Sequence, residues 1–418
     1  PKNWSMQNFI SLAKEQIWHE VTSRKVLMFL SGGVDSSVAF ALLNEALGTD
    51  RVLGLYMDNG FMRQGESEQI MQRYRDLGYT NVEARDFSKE FLEALAGLTD
   101  PQQKRHQVGA VFIRMRERFL QELQLNPEEW MLGQGTLYPD IIESGGSEHA
   151  NVIKSHHNRV DEVMELLEAG QLVEPLKDLY KDEVRELGSL LGLPDSIVWR
   201  HPFPGPGLSV NVLCSEGRND QGTDSRLEQR VLEALPENSC SASVLPVRSV
   251  GVQGDQRTYT PPAVLWETPE DWNWLEEHSI RITNYVREIN RVVLLLSPEA
   301  LTPLKIREAY CTRERLDLLR QADAIANNTL MEHDLMRDIF QLLVILLPIS
   351  EDGKGDSIVL RPVCSEDVMT AQFARLDWDL LNSLKQSLSN LPGIDAVFYD
   401  ITHKPVSYTH LRAHETHD

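Results

Sequence analysis

Seven consecutive residues near the start of the chain carry groups that could hold a phosphate. They are, in order, Ser31, Gly32, Gly33, Val34, Asp35, Ser36 and Ser37. Glycines let a backbone come close to a ligand, and serine hydroxyls together with the N–H groups at the start of a helix bind anions. Because the run contains no lysine, it is not a phosphate loop of the Walker A type. We therefore predict a polyphosphate site in which Asp35 contacts a bridging Mg²⁺.

An ordinary glycine turn with a Ser or Asp helix cap would explain one glycine and one serine, but not the whole run between a strand and a helix. The residues on either side show apolar patterns typical of regular elements. The predicted strands are Val26–Leu30, Arg51–Met57 and Val82–Arg85, and the predicted helices are 5–20, 36–47 and 66–77. This order predicts an α/β fold with a doubly wound parallel sheet, whose ligands bind at the carboxyl ends of the strands.

A breaker-rich segment, His201–Gly207, contains three prolines and predicts a domain boundary. The elements predicted before it are helices at 101–123, 160–169 and 181–192 and strands at Trp130–Gly133 and Val152–Lys154. We assign residues 1–200 to a first domain, 201–405 to an α+β domain and 406–418 to an aberrant tail.

The second domain contains a weak internal similarity in sequence. Twice, an apolar run that contains proline precedes a Gly-Asp pair and then a second apolar stretch. The two copies are Val244–Val247, Gly254–Asp255 and Arg291–Leu296, and Val344–Ile349, Gly355–Asp356 and Ala396–Tyr399. Spacing alone leaves a repeated unit and a chance similarity equally open. A repeat would divide the domain into 208–300 and 310–405.

The composition is that of a folded and strongly acidic protein. The 418 residues include 41 Lys and Arg against 63 Asp and Glu, a formal net charge of −22 at pH 7. A chain this acidic repels a nucleic-acid backbone, so no nucleic-acid partner is expected. No apolar run reaches the length of a membrane span, so no membrane partner is expected. The four separated cysteines, with no CxxC pair, predict a reduced, cytoplasmic protein.

The Ser31–Ser37 loop resembles the SGGxDS loop of the N-type ATP pyrophosphatases. That group includes synthetases of GMP, NAD, asparagine and argininosuccinate, and also tRNA thiolases. In these proteins the loop holds the pyrophosphate that leaves when ATP adenylates a substrate oxygen. The resemblance implies ATP as co-substrate, and the loop alone does not choose among the members.

Further runs are similar to the synthetase portion of the GMP synthase family, from about Trp4 to Pro405. They follow the ends of strands or lie near the domain boundary. The runs are Tyr56–Arg63, Gly133–Ser144, Ile153–Asn158, Glu174–Arg185, Arg200–Leu208 and Val250–Asp255. The long second domain is similar to the expanded form of that family, which favours the repeat.

The resemblance implies a ligase that aminates XMP in two steps. ATP adenylates the C2 oxygen of XMP and releases pyrophosphate, and ammonia then displaces AMP to give GMP. Loop amides and Mg²⁺ would meet the charge that develops on pyrophosphate. Positioning of the reactants would dominate catalysis, since the protein takes little part in the covalent chemistry.

Family positions imply roles for individual residues. The loop would hold the β- and γ-phosphates of ATP, and Asp58 and Gly60 would lie beside its adenine and ribose. The residues implied in XMP binding are Arg105, Asp255, Gln341 and Lys404. The residues implied in catalysis are Asp35, Lys154 and His156. Spacing alone would instead make Arg105 a solvated residue on a charged helix.

The cysteines and the residues after Pro405 depart from the family pattern. None of the four cysteines lies in a nucleophile-elbow context, so the glutaminase that supplies ammonia is expected on another domain or subunit. The chain is expected to use free ammonia, either as a subunit or as a piece of a longer enzyme. After Lys404 and Pro405, residues 406–418 do not match the family's KPPxTIEWE ending and lack the Glu that closes over XMP.

Two other interpretations remain open. A tRNA thiolase would share the loop, but the acidic charge and the absence of a catalytic cysteine pair disfavour it. A nucleotide-binding scaffold would keep a non-catalytic loop and bind a partner protein through the second domain. We expect a homodimer or a monomer. Simpler members of the family dimerise through this domain, and two copies of the unit in one chain could pack against each other in the same way.

Overall fold

The computed structural model describes residues 5–123, 126, 128–137, 171–199, 205–217, 225–253, 256–335, 339, 341–365 and 370–405. The chain forms two compact units. The first is assembled from residues 1–91 and 109–205, and the second from 92–108 and 206–418. The domain ranges expected from the sequence stay a prediction.

A parallel sheet of five strands forms the centre of the first unit. The strands are β1 (Lys25–Leu30), β2 (Val52–Asp58), β3 (Val82–Asp86), β4 (Trp130–Gly133) and β5 (Leu172–Val173). Their order is β3-β2-β1-β4-β5, and every neighbouring pair is parallel. The predicted doubly wound sheet is confirmed. Its strand order reverses between β1 and β4, and ligands of such sheets bind at that switch point.

Seven helices belong to the described chain up to residue 199. They are α1 (Met6–Val21), α2 (Val34–Leu47), α3 (Glu66–Asp76), α4 (Ser88–Ala94), α5 (Pro101–Glu122), α6 (Lys181–Leu190) and α7 (Asp195–Val198). The sequence predicted five of these helices to within a few residues, whereas the short α4 and α7 carry too little periodicity to detect. The predicted strand Val152–Lys154 and helix 160–169 lie outside the described residues.

Helix α2 is largely buried and packs on the sheet beside β1 and β2. Its Phe40 is fully buried, and a Cβ on Gly54 of β2 would lie 2.8 Å from the Phe40 ring. A glycine is therefore required for α2 to approach the sheet. On its other side, a Cβ on Gly188 of α6 would lie 2.9 Å from a methyl of Val38. These close approaches hold the amino end of α2 in place against both neighbours.

Helix α5 is divided between the two units, because residues 92–108 group with the second. Within that segment the Lys104 side chain is almost fully buried. Its ammonium donates to the carbonyls of Ser209 at 3.0 Å and Val212 at 2.7 Å. These bonds supply the acceptors that a buried cation needs, and they join two segments that lie far apart in sequence.

The second unit is α+β, as predicted, and most of its strands join one mixed sheet. The strands are β6 (Ser215–Glu216), β7 (Ser241–Val244), β8 (Ser249–Gln253), β9 (Gln256–Thr260), β10 (Ala263–Trp266), β11 (Val292–Ser297), β12 (Lys305–Ile306), β13 (Glu308–Ala309), β14 (Gln341–Leu347), β15 (Ile349–Ser350), β16 (Asp356–Ser365), β17 (Thr370–Phe373), β18 (Ile394–Asp400) and β19 (Lys404–Pro405). The helices are α8 (Ser225–Glu233), α9 (Trp272–Tyr285), α10 (Arg313–Glu332) and α11 (Trp378–Ser389). The sheet order is β19-β17-β16-β18-β11-β10-β7, and β14 pairs with β16.

The two halves of this mixed sheet have matching registers. β10 lies parallel to β11 with Leu265 opposite Leu294, and β16 lies parallel to β18 with Leu360 opposite Tyr399. β7 and β14 run antiparallel along the outer sides of β10 and β16. β11 meets β18 antiparallel, with Leu294 opposite Tyr399 at the centre. The repeat expected from the sequence stays a prediction, and these registers support it.

The helices α9 and α11 also begin alike. Asp271 and Asp377 each accept a hydrogen bond at 2.9 Å from the backbone N–H two residues later, as N-caps do. A tryptophan follows each cap, and the rings of Trp272 and Trp378 stack with centroids 4.5 Å apart. The Trp272 indole donates to the carbonyl of Leu376 at 2.8 Å. The two helix starts are thereby joined to each other.

All four cysteines are free thiols, as the sequence predicted. They are Cys214, Cys240, Cys311 and Cys364. Within the described part of the chain, no helix combines the length and the apolar character needed to span a membrane.

Candidate active site

The Ser31–Ser37 loop lies at the carboxyl end of β1, beside the switch point of the parallel sheet. Gly32 has a φ of +72°, a conformation that strains any residue with a side chain. Gly33 is the N-cap of α2, so the helix begins at Val34. The predicted helix start at Ser36 was two residues late, because the loop's own serines and its Asp form the first turn of the helix.

Serine hydroxyls hold the loop in shape. Ser36 Oγ accepts from the Ser31 N–H at 3.3 Å and donates to the Gly33 carbonyl at 3.2 Å. Ser31 Oγ accepts from the Gly33 N–H at 3.2 Å. Ser37 Oγ donates to the Gly33 carbonyl at 2.8 Å and lies 2.9 Å from Tyr74 Oη. The first N–H groups of a helix lack intrahelical acceptors, so this braced turn presents anion donors at the end of β1.

Asp35 is held by a lysine from another helix. The Nζ atom of Lys181, the first residue of α6, lies 2.7 Å from both carboxylate oxygens. The two side chains are 33% and 41% exposed, so water screens the pair and its contribution to stability is at most about 1 kcal/mol. The sequence included Lys181 in a family-like run but did not pair it with Asp35, which lies 146 residues away.

The backbone after β4 closes one side of the loop. A Cβ on Gly135 would lie 3.2 Å from the backbone carbonyl of Asp35, which is tighter than most real contacts. The neighbouring Thr136 is fully buried, and among the described residues its Oγ1 has no hydrogen-bond partner. Because leaving a buried hydroxyl unbonded costs about 1–3 kcal/mol, Thr136 is a candidate ligand contact that the sequence did not single out.

A tight turn follows β2, the neighbour of β1. The Asp58 carboxylate accepts from the Gly60 N–H at 2.8 Å, and the Asn59 side chain accepts from the Phe61 N–H at 2.9 Å. Gly60 has a φ of +73°, and a Cβ there would lie 2.4 Å from Cβ of Ser88. The turn therefore requires glycine, and it places Asp58 and Gly60 at the same edge of the sheet as the loop. Their contact with ATP stays a prediction.

The residues expected to bind XMP fall in different surroundings. Arg105 is only 2% exposed, so it is not the solvated residue that spacing alone would favour. Gln341 begins β14 and is half-buried, and Lys404 begins β19. Asp255 lies outside the described residues. All four roles in XMP binding stay predictions.

The residues expected in catalysis are described only in part. Lys154 and His156 lie outside the described residues, and Asp35 is the member that the structure places. In the described part of the chain, no group of three or more His, Cys, Asp or Glu side chains could hold a metal ion. Asp35 offers one carboxylate, which fits Mg²⁺ because this ion is commonly held by one or two carboxylates together with substrate phosphates.

Comparisons with known proteins agree with both parts of the chain. A family model described as NAD synthase matches residues 6–141, and one described as GMP synthase C terminal domain matches residues 328–410. A probable GMP synthase (glutamine-hydrolyzing) of Leptospira interrogans is 41% identical over 97% of this chain and 67% of its own length. A probable GMP synthase of Caenorhabditis elegans is 35% identical over 97% of this chain and 66% of its own length. The chain spans about two thirds of these relatives.

Among the solved structures that match this chain is the NH3-dependent NAD synthetase of Campylobacter jejuni. It has a TM-score of 0.34 and 16% identity, and the match covers 48% of this chain and 80% of that one. The assignment of the fold rests on the order and direction of the strands of the parallel sheet.

Proposed function

The chain belongs to the GMP synthase family, ligases that form a C–N bond, and from this premise we propose that it aminates XMP to GMP at the expense of ATP. In the first step ATP adenylates the C2 oxygen of XMP and releases pyrophosphate. In the second step ammonia displaces AMP from the adenylyl-XMP intermediate. The observation that supports this most directly is the braced Ser31–Ser37 loop at the switch point of a parallel sheet.

The loop would receive the β- and γ-phosphates of ATP. Its hydroxyl–backbone bonds already hold the turn, so the N–H donors at the start of α2 need little rearrangement when charge develops on the leaving pyrophosphate. The side-chain hydroxyl of Thr136, in the segment after β4, would add a hydrogen bond to the phosphates. The adenine and ribose would lie beside Asp58 and Gly60, at the end of the adjacent strand.

Asp35 would hold Mg²⁺, which neutralises phosphate charge when bound. In the structure both oxygens of Asp35 are taken by the Lys181 ammonium. Lys181 would then be free to place its own charge on a phosphate oxygen, because the two side chains are only half-buried and can separate. When the nucleotide binds, Asp35 would exchange Lys181 for Mg²⁺, and Lys181 would exchange Asp35 for a phosphate oxygen.

The resemblance to the family implies which residues would hold XMP and which cations would act in the reaction. The XMP-binding set is Arg105, Asp255, Gln341 and Lys404, and the cations are Lys154 and His156. Arg105 is 2% exposed, which supports a specific role over that of a solvated residue on a charged helix.

Ammonia would come from a glutamine amidotransferase domain or subunit. Burial raises the pKa of the Cys311 thiol to about 11 and raises the pKa of Cys240. Because the thiolate is the nucleophile, neither residue is suited to attack glutamine at neutral pH. The four free thiols also support a reducing, cytoplasmic location.

The test is product formation by the purified chain from XMP, MgATP and ammonium, with glutamine in a parallel reaction. We expect equal amounts of GMP, AMP and pyrophosphate with ammonium and no GMP with glutamine. Asp35→Asn should lower AMP formation at least tenfold. The matched variant Asp50→Asn removes an exposed charge just after α2 and should leave the rate unchanged.

Each result that differs from the expected formation of GMP favours a different function. ATP consumption that depends on tRNA rather than XMP would favour a thiolase. ATP binding without any turnover would favour a nucleotide-binding scaffold. Pyrophosphate release without GMP would mean that adenylation proceeds while the second step fails, which contradicts the proposed synthesis of GMP by this chain.

A further inference from the structure

A partly open, mostly apolar cavity lies on one face of the mixed sheet in the second unit. Most of its wall is aliphatic. The apolar side chains include Leu213, Val247, Val293, Ile345, Leu347 and Val359. Helices α10 and α11 cover the opposite face of the sheet, where they pack against Leu360 and Tyr399. Neither Arg105 nor Gln341 belongs to the wall, so the cavity is not built from the described residues proposed for XMP.

The charged side chains of the wall belong to three arginines and one aspartate. They are Arg248, Arg291, Arg361 and Asp400. Oδ2 of Asp400 accepts a hydrogen bond from Nη1 of Arg291 and also lies 3.4 Å from Nε of Arg361. One carboxylate oxygen therefore serves two guanidinium groups. The wall keeps a surplus of positive charge in a chain that is otherwise strongly acidic.

The charge of Arg361 is only partly compensated. Its side chain is 4% exposed, and among the described residues Asp400 is the one acid with which it forms an ion pair. Burial, and secondarily the nearby Arg291, lower its pKa to about 9. Burying a charge without a full counter-charge costs desolvation free energy. An anionic group in the cavity would offset that cost by neutralising the Arg361 guanidinium.

The other half of the sheet shows that these charges are not needed to build it. When the registers are matched, Trp266 occupies the position of Arg361, and Leu295 occupies the position of Asp400. Both replacements belong to or pack against an apolar cluster. Apolar residues commonly replace buried ion pairs without loss of stability. The charges at Arg361 and Asp400 therefore call for a reason other than folding.

We propose that the cavity binds a small organic carboxylate with an apolar body. The carboxylate lies against Arg361, whose planar guanidinium can donate two parallel hydrogen bonds to it. The apolar body lies along Val293 and Ile345. A nucleotide is disfavoured, because its sugar and base would meet aliphatic walls with few hydrogen-bonding groups.

The experiment is calorimetric titration of the full chain with 2-naphthoate and, separately, with its neutral analogue 2-naphthamide. We expect saturable binding of one naphthoate per chain and at least tenfold weaker binding of the amide. Arg361→Met should weaken naphthoate binding at least tenfold, while Asp400 keeps its bond to Arg291. The matched variant Arg230→Met removes a half-exposed arginine paired with Glu288 outside the cavity and should bind as the wild type does.

Three results would overturn the proposal. They are equal binding of acid and amide, unchanged binding by Arg361→Met, and displacement of naphthoate by XMP or inorganic phosphate, which would assign the arginines to the substrate. If Arg361→Met does not fold, Ile345→Phe takes its place, since it fills the cavity and keeps every charge. Loss of naphthoate binding in that variant supports the site, and unchanged binding rejects it.

Discussion

At the scale of single residues, Gly60 and Gly78 share a positive φ but differ in what surrounds them. A Cβ on Gly60 would lie 2.4 Å from Ser88, whereas nothing lies within 4 Å of one on Gly78. Gly78→Ala should lose about 1–2 kcal/mol of unfolding free energy for the backbone alone. Gly60→Ala should lose about 1–3 kcal/mol more, since the clash forces the turn to move. Urea denaturation of both variants measures the difference, and equal losses would contradict the contact with Ser88.

The bond between Lys181 and Asp35 makes a second prediction at this scale. Lys181→Met should lower the kcat of AMP formation at least tenfold, because a cation that can turn to the leaving pyrophosphate is lost. Its stability should change by less than about 1 kcal/mol, since the ion pair is exposed to water. Lys177→Met is the matched control, because Lys177 is 36% exposed and lies 3.6 Å from Glu20. Unchanged kcat in Lys181→Met would reduce the pair to an ordinary surface contact.

Arg361 predicts a pH dependence for the proposed carboxylate site. Its pKa lies at about 9, below the usual arginine value, so the guanidinium is charged below that pH and neutral above it. Naphthoate affinity should therefore stay constant from pH 7 to 8 and fall as the pH rises through about 9. Calorimetry across this range checks the sign of the change, with 2-naphthamide as the uncharged control. A rise in naphthoate affinity above pH 9 would be the wrong sign for a guanidinium contact.

At the scale of elements, the two capped helix starts of the second unit depend on each other through their tryptophans. Trp272→Ala removes the stacked ring and the bond to Leu376, and should cost about 2–4 kcal/mol, somewhat below a fully buried Trp. Trp272→Phe should lose less, because an aromatic ring remains. Trp18→Ala, on the exposed face of α1, should change the unfolding free energy by less than about 0.5 kcal/mol. Denaturant titrations followed by circular dichroism compare the three variants.

Elements with strong local patterns were predictable from the sequence. The continuous apolar stretch before Ser31 gave β1, and the glycines after it gave a loop at a strand end. The apolar run Val244–Val247, noted as part of a repeat, does not mark a strand, because only Val244 belongs to β7. Pro246 cannot donate to a strand ladder, and the small residues before Val244 carry no apolar signal.

Side-chain partners from distant segments were not predictable. Lys181 reaches Asp35 across 146 residues, and Arg361 and Arg291 share an oxygen of Asp400, because the folded elements bring them together. Local sequence patterns do not predict contacts between residues that lie far apart in sequence. Thr136 is a similar case, since its burial follows from the packing of the backbone after β4 rather than from its neighbours in sequence.

At the scale of the whole molecule, the net charge of −22 makes a prediction about partners. The chain should not retard tRNA in a gel-shift assay at about 0.15 M salt, because charge repulsion acts against phosphate contacts. The same preparation should release AMP with XMP and ammonium, which controls for inactive protein. A tRNA complex whose affinity falls steeply with salt would instead favour the thiolase interpretation.

The buried Lys104 has a consequence for anyone who wishes to express the second unit by itself. A gene cut at the codon for Gly205 would leave residues 92–108 on the amino-terminal product and remove their acceptors. The ammonium of Lys104 would lose the carbonyls of Ser209 and Val212, and those carbonyls would lose their donor. Both products would then expose a mismatched surface and tend to precipitate. A workable gene would join the codons for 92–108 through a flexible linker to the codon for Pro206. The expressed polypeptide would then contain both segments that pack together in the second unit.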